Sequence, residues 1–169
     1  MCDFTPVRNW LLVLLTLFLA ALSSVIFALI FVNSPWPAIS WTSFLAAAIW
    51  AGAATSIYMA QARPAVDAFC ACVSSRPACA TPCDQLKQSL AFANLVALLV
   101  AAVCAINLFT PIDGVRAIAL VILVTAGVAA IFVCLGFAVT LGSCQSPPSS
   151  PGGLQGDPTK PGGTDNKPV

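Results

Sequence analysis

Residues 10–32 read WLLVLLTLFLAALSSVIFALIFV, with no charge, no proline and no glycine. A helix needs ~20 such residues to cross ~30 Å of hydrocarbon, and this stretch has them. It also exceeds the 7–15 apolar residues at the core of a cleaved signal, so it is read as a true span. Three further stretches follow at Ile39–Ala62, Leu86–Phe109 and Val115–Leu141, each without a charge in its central part. Pro35, Pro37, Pro64, Pro82 and Pro111 fall at or just outside the ends, where proline starts or stops a helix. Trp10, Trp36 and Trp41 lie where interfacial tryptophans are expected. Trp50, deep in the second span, is expected to pack on a neighbouring helix.

The composition agrees. Of 169 residues 59% are hydrophobic and 8% charged, against roughly 25% charged in a soluble domain. The sequence therefore predicts an all-α integral membrane protein, a compact up-down bundle of four transmembrane helices over residues 1–142 followed by a disordered Pro/Gly-rich tail over 143–169. The short links at Asn33–Ser40 and Thr110–Gly114 make the helices they join antiparallel neighbours. The longer cysteine-rich loop spans 63–85. The net charge of +1 and the lack of any basic run give no field for nucleic acid.

If the four spans alternate, Arg8, Arg63, Arg76, Lys87, Lys160 and Lys167 share one side and Arg116 alone lies on the other. The positive-inside rule then places both termini and the 63–85 loop in the cytoplasm.

Each span carries small residues at every fourth position: Thr16, Ala20, Ser24 and Ala28; Ala48, Gly52, Ser56 and Ala60; Ser89, Ala93, Ala97, Ala101 and Ala105; Ala126, Ala130, Cys134, Ala138 and Gly142. Such rows let helix backbones approach closely. The chain has no histidine and no glutamate, and no ionisable residue falls at membrane depth. Proton-coupled carriers and enzymes built on a general base are disfavoured accordingly. Cys104 and Cys134 lie in the third and fourth spans, roughly 18 Å apart in depth at 1.5 Å per residue. They are expected to behave as small hydrophobes rather than share an ion.

The loop RPAVDAFCACVSSRPACATPCDQLK, residues 63–87, places Cys70, Cys72, Cys79 and Cys83 within fourteen residues. In a cytoplasmic loop four thiols point to metal, zinc or a soft ion, or to thiol chemistry such as acylation, which Cys2 and Cys144 would join. Disulfides would require an oxidising compartment. The metal reading requires the segment to be irregular. Were Pro64–Val73 a helix, Val66, Phe69, Cys70 and Val73 would share an apolar face and Cys72 would point away from Cys70. Thr81-Pro82-Cys83-Asp84 has the pattern of a helix start, with Thr81 as N-cap. Cys83 in that first turn is then expected to be the most reactive thiol.

In outline, four spans with cytoplasmic cysteines are similar to bacterial mercury-uptake proteins, but Trp10–Val32 holds no cysteine pair such as theirs, and no family is assigned. Three functions fit the residues. One is a non-enzymatic structural or accessory subunit, in lipid and packed on other membrane subunits or on itself. The second is a soft-metal binding or transport protein using the cysteine loop, and the third a self-assembling pore lined by Ser23, Ser24, Thr55 and Ser56.

Overall fold

The computed structural model describes residues 3–33, 35, 37–74 and 77–145. Among them all regular structure is helical: α1 (Thr5–Phe31), α2 (Pro37–Ile57), a π-helical turn (Tyr58–Ala62), α3 (Arg63–Val73), α4 (Pro77–Asn107) and α5 (Gly114–Gln145). Four helices are long and apolar enough to cross a membrane. The tail expected to be disordered lies, beyond Gln145, outside the described residues, as do Cys2 and Arg76.

The four long helices form the expected ring. α1 packs on α2 and α5, and α4 packs on α2 and α5. Their buried side chains recur at helical spacing: Leu11, Leu14, Phe18, Ala21 and Val25 on α1, and Ala47, Ala51 and Ala54 on α2. α4 contributes Leu90, Ala93, Ala97, Val100 and Cys104, and α5 contributes Leu120, Val124, Ile131, Cys134 and Leu141. Only 22–33% of the most apolar stretch of each span is fully buried within the chain, and the rest is half-buried or faces outward. The outward residues are large and apolar, with Ile30 65%, Ile49 58% and Ile118 65% exposed. Such a surface suits hydrocarbon and not water.

The small-residue rows divide. On α5, Ala130, Cys134 and Ala138 are buried, and on α4 Ala93 and Ala97 are buried. On α1 the row runs obliquely, with Thr16 exposed, Ala20 and Ser24 half-buried and Ala28 fully buried, and along the second span it turns outward, from half-buried Ala48 and Gly52 to exposed Ser56 and Ala60. The face that packs is one position away, through Ala21 and Val25 on α1 and Ala47, Ala51 and Ala54 on α2. Trp50 also departs from expectation. It is 40% exposed and lies on the outer face of α2.

Proline does not end the second span. The helix runs on through Pro64, from Ala38 to Val73. Pro64 has no N–H for the carbonyl four residues back, and its ring crowds that carbonyl. The chain widens just before it, where the Arg63 N–H donates to the Tyr58 carbonyl five residues back. This π turn absorbs the missing bond without breaking the helix. The start of the next helix differs too. α4 begins at Pro77, so Thr81 and Pro82 lie within it rather than at its cap. The five residues gained leave one carbonyl, that of Ala78, without its helical N–H partner at Pro82.

At the opposite end, Asp113 caps α5 by accepting the Arg116 N–H at 2.8 Å. The Arg116 side chain pairs with Asp113 at 3.1 Å and donates to Thr110 Oγ1 at 3.0 Å. The one cation of that face is thus spent on its own turn.

Gly127 on α5 sits where a neighbouring side chain comes close. A Cβ there would lie 2.8 Å from Phe18 Cδ1 on α1 and 3.2 Å from Val96 Cγ1 on α4. Phe18 is itself buried, so its ring would have to shift within the core. Gly127→Ala is expected to lower stability by about 1–3 kcal/mol, as overpacking does. Gly52→Ala, where nothing lies within 4 Å, is expected to leave it unchanged. Thermal unfolding of both variants in mild detergent measures the difference, and equal melting would remove the close-contact argument.

Candidate functional site

The segment after the π turn is amphipathic, and that decides where the loop goes. Val66, Phe69, Cys70 and Val73 share one face of α3, and all four are buried. They pack onto α4, the π turn and the start of α1 as a short cap over one end of the bundle. Phe69 meets Phe4 edge to face at 5.2 Å between ring centroids. Just ahead of Phe4, Asp3 accepts the Thr5 N–H at 2.9 Å, which holds its carboxyl below the usual range.

An ion pair and a disulfide join α3 to α4. Asp67 pairs with Lys87 at 2.9 Å and lies 3.9 Å from Arg63 on its own helix. Three residues along α3 and four back along α4, Cys70 and Cys83 form a disulfide, with Cα atoms 5.8 Å apart. Both are buried, 5% and 4% exposed. Cys72 and Cys79 are disulfide-bonded as well.

This arrangement bears on the cysteines of the loop. A joint site for zinc or a soft ion on Cys70, Cys72, Cys79 and Cys83 needs free thiolates, and here Arg63–Val73 is helical and all four sulfurs are disulfide-bonded. Cys70 faces the core while Cys72 is exposed, as a helix dictates. Among the described residues no group of three or more His, Cys, Asp or Glu is placed to hold a metal ion. Cys83 is likewise not the reactive thiol expected at a helix start. It is buried, bonded, and past the first turn of α4. Cys104 and Cys134 are free and fully buried, as small hydrophobes are.

Beside the cap is a cavity of about 340 Å³ lined by Tyr58, Arg63, Val66, Asp67, Lys87, Leu90 and Ala91. Its rim holds two cations and one carboxylate, and its floor is apolar. Tyr58 and Leu90 also border a void of about 10 Å³ at the bundle centre, where the Asn94 side chain lies. Asn94 Oδ1 has no hydrogen-bond partner, and neither has Thr55 Oγ1 on α2. A void of this size holds at most one water. The Asp67–Lys87 pair was missed in reading the sequence. Its i,i+4 half, Arg63–Asp67, was visible there, whereas the contact with Lys87 needs the α3–α4 hairpin. Compared with known protein families, characterised proteins and solved structures, the chain matches none.

The two cross-links differ in weight. The disulfide closes a loop of 13 residues, for which chain entropy gives about 3 kcal/mol. The Asp67–Lys87 pair is half exposed and contributes less than about 1 kcal/mol. Cys83→Ser is therefore expected to free the α3 amides to hydrogen exchange far more than Asp67→Asn does. Alkylation of the native protein is expected to reach Cys70 and Cys83 only after a reductant is added. Rapid labelling without reductant would show the pair to be open.

Proposed function

We propose that this chain is a non-enzymatic subunit of a membrane assembly, an anchor of four helices that presents a cross-braced cap to a partner. The observation that carries this reading is the contrast between the two exposed surfaces. The flanks are large apolar side chains suited to lipid or to other helices, with small residues turned outward at Ser56 and Ala60 along the second span. The cap is held by a disulfide and an ion pair, and it keeps charged groups at the surface. Outward small residues allow another helix to approach closely, so self-association or a second subunit fits the second span. Zinc or a soft metal ion belongs to the same proposal only after reduction, which would return thiolates to the cap.

The orientation has two readings. The charge bias, six cations to one, supports both termini and the 63–85 loop in the cytoplasm. The oxidised Cys70–Cys83 pair favours the inverted arrangement, with the cap in an oxidising compartment.

The test uses the full chain in mild detergent, with mass by light scattering and metal by elemental analysis before and after reduction. A stable complex with a second protein, or a discrete homo-oligomer without metal, is the expected result. Stoichiometric metal lost on changing the four loop cysteines to serine would favour the metal reading instead. A monomer in every condition would remove the subunit reading. For orientation, sealed vesicles of known sidedness are treated with an impermeant reductant and then an impermeant maleimide. Labelling of Cys83 only after permeabilisation is the outcome for a cap on the inner side.

A further inference from the structure

A second cavity lies at the other end of the bundle, away from the cap, with a volume of about 330 Å³. It is formed where α1 ends, α2 begins and α4 turns into α5, and Asn107 is the last residue of α4. Its walls are Val32, Trp41, Phe44, Pro111 and Ile112, with Asn33, Ser40 and Asn107 as the polar groups. Asn107 is 8% exposed, yet neither its Nδ2 nor its Oδ1 has a hydrogen-bond partner. Because both atoms are orphaned, the conclusion is the same whichever way the amide is turned. A buried amide with nothing to bond is rare in a native protein and calls for a ligand or water.

Two neighbouring polar groups are already occupied. Ser40 Oγ donates to the Ala28 carbonyl at 3.0 Å, and Trp41 Nε1 donates to the Leu108 carbonyl at 3.3 Å. Arg116 and Asp113, on the adjoining turn, pair with each other. The cavity therefore offers the unpartnered amide of Asn107, with the Asn33 amide also on its wall, between apolar and polar surface and without a free charge among the described residues.

We propose that this cavity binds the alcohol headgroup of an uncharged membrane lipid. A hydroxyl both donates and accepts, so one group satisfies Oδ1 and Nδ2 together. A phosphate or carboxylate only accepts, would leave Oδ1 unpaired and would lack a counter-charge. The level in the membrane agrees. Phe109 and Val115, on either side of the α4–α5 turn, are 89% and 79% exposed, an arrangement suited to the lipid boundary. The volume is at the lower end for ligand pockets, enough for a headgroup and the first part of a lipid, with the remainder lying along the apolar flank. Sterols and diacylglycerols share this chemistry. The site does not depend on the accessory-subunit reading.

The test places the full chain in phosphatidylcholine nanodiscs with a photoreactive sterol, a photoreactive diacylglycerol or a photoreactive phosphatidylcholine, and maps the adducts. Labelling of Trp41 or of residues 107–112 by one of the alcohol probes is expected, and which probe labels identifies the source. Asn107→Leu should cut that labelling roughly 10-fold, as expected for a buried hydrogen-bonding group. It should melt no lower than the native chain, because it removes an unpaired amide. Ile112→Trp, which fills the cavity from the turn and leaves the helices alone, should cut it as much. Unchanged labelling in both variants, or equal labelling by phosphatidylcholine, would overturn the proposal and leave only the ordinary lipid annulus.

Discussion

A peptide group in hydrocarbon has no water to bond with, and each one left unpaired costs several kcal/mol. Every other feature of this chain works around that constraint. The four long helices satisfy their own backbones, the links between them are short, and irregular backbone is kept to the ends. The second span shows how strictly the rule applies. Pro64 deletes one N–H near the membrane boundary, and the chain responds by widening to a π turn rather than opening. That continuity carries the helix beyond the bilayer as α3, the segment that folds back as the cap.

Once the helices exist, apolar burial no longer decides how they assemble, because lipid tails are as apolar as leucine. Fit decides instead. The bundle alternates large side chains on α1 with alanines on α2, and places Gly127 where Phe18 needs room. Outside the membrane the balance reverses. The cap is only 11 residues long, too short a helix to be stable alone in water. It is held by an apolar face, a disulfide and an ion pair. One end of the molecule thus rests on packing and the other on cross-links.

The spans were legible in the sequence because each is a long apolar run bounded by proline or charge. The pairing of α1 with α2 and of α4 with α5 followed from the two short links. The failures were local and had a common cause. Thr81-Pro82 has the pattern of a helix start, yet the preceding Ala-Cys-Ala is equally compatible with helix, and the α3–α4 hairpin extends it. The small-residue rows were genuine on α4 and α5. On α1 and α2 they lay mostly beside the packing face, because an alanine-rich helix presents more than one such row. The cysteine loop was legible up to a condition. The sequence showed that a helical Pro64–Val73 would part Cys70 from Cys72, but whether it is helical depends on the apolar face finding a surface to cover. Asn107 carried no local signal. An asparagine near a helix end is common, and only the assembled walls show that its amide is buried without a partner.

The charge bias and the disulfide address different moments in the life of the chain. Lysine and arginine act during insertion, when the loop is still extended, and aspartate counts for little then. The later pairing of Asp67 with Arg63 and Lys87 does not weaken that signal. The Cys70–Cys83 bond instead reports the conditions in which the hairpin closed. Burial at 5% and 4% exposure keeps other thiols from its sulfurs, so a bond once formed is protected from exchange even where reductants are present. Protection is not formation, however. Joining two thiols requires an oxidant at the time α3 meets α4. A cap on the cytoplasmic side therefore demands oxidation before the hairpin packs shut, while a cap on the oxidising side demands that the chain insert against its own charge.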